Sequence, residues 1–269
     1  MWKSNSKPSF STNGPKHKTT RRCSTLHGHA QHGKETVDIV TGNVEGVKSN
    51  TSFLQSLATN NRILCIQEHF LWDFETDFLC KILPNFDNLT RCHNSNDPLD
   101  GSKLSCGQGG VSILWPKLWK SNIKKIQDGN ERIIAITISS NINICIINTY
   151  LPTIDNNSKV EYNECLDIIY DIIQKYQDSF EILLCGDLNG TLLNTRSNSH
   201  DKLLKNFVNE TSLQSAGKCS DMNTFYHHAG SSTSQIDYTL ARDRPFNLKG
   251  GGVMVFCFVQ KIFFGQHKS

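Results

Sequence analysis

The sequence predicts a layered α/β protein, with two β-sheets packed face to face and helices outside. Three observations carry this. Short runs rich in Ile, Val, Leu and Cys recur from about residue 36 onward. Segments with apolar residues at helical spacing separate them. Several of the runs also end in a glycine or a polar side chain, as buried strands do when they reach the rim of a sheet.

In chain order, Val37 to Asn43 reads as a first strand, and Thr51 to Asn60 as a helix carrying Phe53, Leu54 and Leu57 on one side. Arg62 to Glu68 is the second strand and Gly109 to Trp115 the third. Arg132 to Ile138 and Ile142 to Tyr150 follow as the fourth and fifth, and the Ser-Ser-Asn between them suits a hairpin. Tyr162 to Tyr176 repeats at helical period, with Leu166, Ile169, Ile172 and Ile173 as the buried stripe. Glu181 to Cys185 is a sixth strand running into Gly186, Asp187 and Asn189. Leu203 to Val208 forms a short helix.

At 269 residues the chain is long enough to bury a full core. Apolar content of 37% with 20% charged residues describes a globular protein rather than a disordered or membrane one. The longest apolar run, Val253 to Val259, falls far short of the roughly 20 residues that span a bilayer. The ten cysteines include no CxxC pair, and Cys65, Cys145 and Cys185 lie inside apolar runs, where free thiols act as small core residues. The expectation is therefore a reduced, intracellular protein of nucleus or cytoplasm, without a zinc knuckle. Asn189-Gly-Thr191 fits a glycosylation acceptor on pattern alone. Three regions follow: a flexible basic tail over 1–35, a catalytic-type domain over 36–242, and an atypical tail over 243–269.

The chemistry gathers where strands run out. Asn43 and Glu45 follow the first, Glu68 closes the second, Asn148 and Tyr150 end the fifth, and Asp187 and Asn189 end the sixth. Asp237, in Ser234-Gln-Ile-Asp-Tyr, adds a further acid. Taken singly each reads as a solvated strand end or a turn. Taken together they are hard oxygen and amide groups without thiolate or imidazole, a set that suits magnesium over zinc.

The segments Gly42-Asn-Val-Glu-Gly46, Ile66-Gln-Glu-His69, Asn148-Thr-Tyr-Leu-Pro152, Gly186-Asp-Leu-Asn189 and Gln235-Ile-Asp-Tyr238 occur in this order. Together they resemble the endonuclease/exonuclease/phosphatase superfamily. Ile66-Gln-Glu-His-Phe and Thr224-Phe with Ser234-Gln-Ile-Asp-Tyr are closest in wording to the endonuclease domain of non-LTR (LINE-type) retrotransposon proteins. The resemblance covers about 36–242 and implies a DNase I-like four-layer sandwich that hydrolyses phosphoesters with a divalent metal. It assigns Glu68 to the metal (magnesium, with manganese as the alternate), with Asn43 beside it and Glu45 adding a contact through water. Tyr150 would touch the scissile phosphate, and Asp187 would orient or deprotonate the attacking water. Asn189, with Asn148 as a further donor, would hold the phosphate, and Gly109-Gly-Val would form a strand near the site. The implied partner is DNA, with no obligate protein partner and no membrane. Lys103, Lys117, Lys120, Lys124 and Lys125 are candidate backbone contacts, with Arg196 and Lys202 nearer the site. His227 and His228 lie in a loop that either meets substrate or caps a turn.

The sequence departs from that superfamily at its end. Relatives close with a strand and a Ser-Asp-His stretch whose histidine pairs with the residue matching Asp237; here no such stretch follows Arg242. His267, near the terminus, is a poor substitute. The expectation is a missing final strand and an uncovered apolar sheet edge, which the segment from Val253 to Phe264 either patches or leaves prone to aggregation. A phosphatase or deadenylase of the same superfamily, or an inactive retroelement fragment, are the alternatives to a DNA endonuclease.

Overall fold

A computed structural model describes residues 36–58, 62–93, 106–140, 143–216, 223–226, 233–242 and 252–257, the last stretch as backbone alone. All of them belong to the unit Lys34–Ser269. The strands are β1 (Thr36–Asn43), β2 (Arg62–Gln67), β3 (Phe86–Arg91), β4 (Val111–Pro116), β5 (Ile123–Asn130), β6 (Ile133–Ile138), β7 (Ile144–Tyr150), β8 (Glu181–Asp187), β9 (Leu213–Ser215), β10 (Phe225–Tyr226), β11 (Thr233–Ser234), β12 (Asp237–Arg242) and β13 (Gly252–Cys257). The helices are α1 (Thr51–Leu57), α2 (Asp77–Ile82), α3 (Ser158–Tyr176) and α4 (Ser199–Thr211).

One sheet runs β13-β1-β2-β4-β3 and the other β5-β6-β7-β8-β12-β9, with β10 and β11 as a separate small ribbon. Three apolar clusters show how the layers stack. Ile39, Ile63, Cys65 and Ile113 of the first sheet meet Ile134, Ile136, Ile146 and Cys185 of the second. Leu54, Leu57 and Leu79 of α1 and α2 pack with Val40, Leu64 and Leu114 on the outer face of the first sheet. Tyr162, Leu166, Ile169, Ile173 and Leu204 of α3 and α4 cover the second sheet through Cys145, Ile147 and Leu184. The result is helix, sheet, sheet, helix, the four-layer sandwich the sequence predicts.

The central strands were legible because both their faces are buried: β4 and β6 are buried throughout, and β7 to its last residue. The strands the pattern missed are mostly at edges. β3 and β5 close the two sheets, and their sequences, Phe-Asp-Asn-Leu-Thr-Arg and Ile-Lys-Lys-Ile-Gln-Asp-Gly-Asn, carry the charge and polarity that keep an edge from pairing further.

Of the two outcomes expected for the sheet edge, the structure shows the patch. β13, inside the segment read as atypical, pairs in parallel along β1 from Thr36↔Gly252 to Thr41↔Cys257. The expected free thiols are present: Cys65, Cys145 and Cys185 are buried and unbridged, and burial together with a hydrogen bond to Cys185 raises the Cys65 pKa. No helix among the described residues is long and apolar enough to cross a membrane. The basic tail over 1–35 lies outside the described residues.

Candidate active site

The site is built from two strand pairs that deliver side chains to the same end of the sandwich. In the first sheet β1 and β2 run in parallel, with Asn43 opposite Gln67, so Asn43 and Glu68 leave at one level. The loops that follow are fastened together. Val44 N donates to Gln67 O (2.9 Å), Gly46 N to Glu68 O (2.8 Å) and Val47 N to His69 O (3.1 Å). Asn43 Oδ1 accepts from Glu45 N at 3.1 Å, an Asx turn that fixes its orientation. Glu45 and Glu68 both adopt left-handed backbone, φ 44 and φ 53. That geometry costs a non-glycine residue about 1 kcal/mol or more, and concentrates where the surroundings must aim a side chain.

In the second sheet β7 lies parallel to β8, and β12 antiparallel to it. Tyr150 stands opposite Asp187, and Asp187 opposite Asp237, so three candidate residues fall in one row. Asp187 is almost wholly buried; its Oδ1 accepts from Asn189 N (3.1 Å) and its carbonyl from Leu151 N (2.9 Å). Asn189, at φ 45, donates from Nδ2 to Leu151 O at 2.7 Å, which ties the β7 and β8 exits together. Asp237 N donates to Thr224 Oγ1 at 3.1 Å, which gives Thr224 of the Thr224-Phe pair a place in support of the row.

What joins the halves is a buried amide pair. Gln67 Nε2 donates to Asn148 Oδ1 at 2.6 Å across the sandwich, and Asn148 Nδ2 donates to Ile66 O (3.1 Å) and Ser112 O (3.0 Å). Beyond this staple, the Tyr150 phenol lies within reach of the charges of both Glu68 and Asp187. Its pKa is held well above the ordinary tyrosine range, first by burial and then by the negative charges of Glu68 and Asp187. Glu68 from one sheet and Asp187 from the other therefore face the same phenol. Arg132 lies 5.8 Å from the centre of that ring, its Nε paired with Glu161 Oε1 of α3 at 2.7 Å and its carbonyl accepting from Tyr150 N at 2.9 Å. Sequence reasoning treated Arg132 only as the start of a strand; a cation opening an apolar run two strands from Tyr150 was the available signal.

The glycine pair ahead of β4 backs this pocket. Gly109 has φ +55, and a Cβ there would stand 3.3 Å from Tyr150 Cε1; at Gly110, φ +85, a Cβ would stand 2.3 Å from the His69 ring. His69 is itself buried, with Nδ1 accepting from Leu71 N (3.0 Å) and Nε2 donating to Arg91 O (3.0 Å), so the ring is neutral. Burial lowers its pKa from 6.5 to about 4. A neutral imidazole that protonates more readily when unfolded contributes stability above pH 6.5 and loses it as pH falls from 6.5 towards 4. At about 1.4 kcal/mol per unit the loss approaches roughly 3 kcal/mol at the acid end. Urea denaturation at pH 7 and pH 4.5 is expected to show a stability difference that His69→Gln reduces.

Several expected contacts are corrected. Asn148 is fully buried with both amide hydrogens committed, so it is a structural staple and has no donor left for a phosphate. Arg196 spends its Nε on Asp201 (3.1 and 3.2 Å), while Nη1 reaches Ser234 Oγ (3.4 Å) and Nη2 the Asn189 carbonyl (3.5 Å). It braces the loops bearing Asn189 and Asp237 rather than standing free for DNA. Lys117, Lys120, Lys124 and Lys125 lie towards the wrong end. β4 begins beside Gln67 and runs away to Pro116, and Lys124 pairs with Thr137 on the distal half of β6, whose proximal Ile133 faces Thr149. Six residues of strand put roughly 20 Å between the two ends. Lys202 is exposed in the first turn of α4, whose Asp201 accepts from Thr191 N at 2.8 Å, so it does lie towards the site. Lys103, His227, His228 and His267 lie outside the described residues.

The donor set fits a hard divalent cation held sparingly. Among the described residues no three His, Cys, Asp or Glu side chains gather as an all-protein cage. The groups on offer are the Glu68 carboxylate and the Asn43 amide oxygen on fastened neighbouring loops. Magnesium is commonly held by one or two protein carboxylates, leaving its other positions to water and phosphate.

The comparisons agree with this architecture. The model of the Endonuclease/Exonuclease/phosphatase family matches residues 40–257. The chain belongs to that family. The match runs past Arg242 and takes in β13. No curated protein matches the chain in sequence. Among solved structures, an AP endonuclease from Leishmania major superposes with TM-score 0.58 at 13% identity, covering 76% of this chain and 78% of that one. A 3′ phosphatase from Neisseria bound to a product DNA hairpin gives 0.55 at 16%, covering 76% and 86%. The endonuclease domain of TRAS1, a telomere-specific non-LTR retrotransposon, gives 0.51 at 14%, covering 76% and 84%. At these identities the likeness is of fold, and this family member shares the DNase I-like sandwich with all three.

Proposed function

We propose that this chain hydrolyses phosphodiester bonds in DNA with a divalent cation, magnesium or manganese, as an endonuclease of retrotransposon type that leaves 3′ hydroxyl and 5′ phosphate ends. The observation that carries the reading is the meeting of Glu68 and Asp187, from different sheets, around the Tyr150 hydroxyl. Such a pocket has one face suited to a cation and another suited to water activation.

Glu68 and Asn43 would hold the cation, with Glu45 contributing through water; when bound, it supplies charge neutralisation on the phosphate. The remaining work falls to the chain's own groups. Asp187, the buried acid opposite Tyr150, accepts the proton of the attacking water. Asn189 is fixed by its bond to Leu151 O and lies beside Asp187, where it orients that water or the phosphate. Tyr150, kept protonated by burial and by the charges of Glu68 and Asp187, can donate its hydroxyl hydrogen to a nonbridging oxygen as charge develops there. Asp237 extends the row on the far side of Asp187. No Ser-Asp-His stretch follows Asp237. Lys202 is the described lysine best placed to meet the DNA backbone.

The test is to incubate the full chain with supercoiled plasmid and magnesium, and separately to measure phosphate release from DNA carrying a 3′ phosphate. Open-circular plasmid that religates to closed circles supports the proposal. Phosphate release without nicking supports a phosphatase instead, and neither activity supports an inactive fragment.

A further inference from the structure

Phe74 is 70% exposed, the most exposed large apolar side chain among the described residues. Of the other exposed ones, Leu118 lies beside Lys117 at the far end of the sandwich, Val160 and Tyr170 lie on α3, and Ile154, an aliphatic side chain with no ring to stack, follows the β7 exit. Phe74 instead stands on the loop that continues from Glu68.

That loop is braced. Glu75 N donates to Trp72 O (2.8 Å), Trp72 N to Glu75 Oε2 (3.2 Å) and Thr76 Oγ1 to Asp73 O (3.0 Å). Lys48, on the loop that carries Asn43 and Glu45, closes on Glu75 Oε1 at 2.5 Å. Lower down, Phe70 N donates to Gly109 O and Gly107 N to Phe70 O, both at 3.1 Å. The buried Trp72 ring lies parallel to Phe74, 8° between planes and 6.4 Å between centres. An exposed aromatic face thus stands on a braced loop that continues from Glu68 and is tied through Lys48 to the loop carrying Asn43 and Glu45.

We propose that Phe74 is a stacking platform for a nucleobase of the substrate, an unpaired or end base next to the cleaved bond. The proposal rests on the nuclease reading and sharpens it: the substrate class is nucleic acid with an accessible base, not a small phosphoester. A base face is neutral and planar, and base–aromatic stacking tolerates any sequence. A single aromatic among charges is also unlike the contiguous apolar patch of a protein-docking surface.

The experiment uses the full chain and a DNA hairpin carrying 2-aminopurine in a short unpaired overhang, with calcium in place of magnesium for the binding measurements. Stacking on Phe74 is expected to quench the 2-aminopurine fluorescence. Phe74→Ala should remove the quenching and weaken binding about tenfold, Phe74→Trp should restore both, and Phe74→Leu should not. In magnesium, the ratio of DNA cleavage to bis(4-nitrophenyl) phosphate hydrolysis should fall about tenfold in Phe74→Ala. Quenching that survives Phe74→Ala, equal binding by Phe74→Leu, or equal losses on both substrates overturns the proposal. Should the wild-type chain cleave neither substrate, the nuclease reading fails, and binding and quenching still decide the role of Phe74.

Discussion

An Asp187→Asn variant is expected to lose at least about a hundredfold in magnesium-dependent nicking while remaining folded. Asp187 is 2% exposed, and an asparagine keeps the acceptor that receives Asn189 N while removing a proton acceptor for water. Stability should hold or rise, since a buried negative charge beside Glu68 is removed. Glu68→Gln should produce a loss of similar size for a different reason, because it weakens the cation site and leaves the presumptive base intact. Raising the magnesium concentration should therefore recover part of the Glu68→Gln activity and none of the Asp187→Asn activity. Initial rates of plasmid nicking across a magnesium series separate the two. Equal recovery in both variants contradicts the division of roles.

The second large effect is on stability. Asn148→Ala removes the shortest of the three hydrogen bonds of Gln67 Nε2, takes the side-chain donor from the carbonyls of Ile66 and Ser112, and opens a cavity in the inter-sheet core. Each unsatisfied buried group costs about 1–3 kcal/mol, so a total of about 3–5 kcal/mol is expected, a large share of the stability of a single domain. The urea midpoint should fall accordingly. Activity measured well below that midpoint should drop too, because the amide pair sets the spacing between the Glu68 and Tyr150 strand ends. A change under 1 kcal/mol is incompatible with the staple.

Much of this was readable in the chain because burial on two faces writes itself into composition. β2, β4, β6, β7 and β8 are mostly apolar runs, and Glu68, Tyr150 and Asp187 each end or directly follow one of them. Edge strands such as β3 and β5 erase that signal, since polarity is what protects them. For β13 the sequence left both a patch on the sheet edge and a foreign tail open, because it lacks the family's closing motif; its apolar run pairs along β1. The basic residues were misjudged for a topological reason. Lys117 and Lys124 are near site strands in sequence, but antiparallel pairing carries them to the opposite end. Asn148 sits two residues before Tyr150, and strand alternation alone cannot say whether such an amide reaches solvent or staples two sheets. That depends on Gln67, a residue of the other sheet far away in sequence. The role of Arg132 was hidden likewise, since it acts through Tyr150 and Glu161, partners remote in the chain.

The central claim is that Asn43, Glu68, Tyr150 and Asp187 close on one cation-sized space. Iron(II) with ascorbate and peroxide, bound in place of magnesium, cuts the backbone wherever it approaches the metal, and mass spectrometry locates the cuts. Cleavage is predicted at the ends of β1, β2, β7 and β8 together, suppressed by excess magnesium and absent in Glu68→Gln. Cuts confined to one of these loops, or only to the histidine-bearing stretch before residue 33, would contradict it.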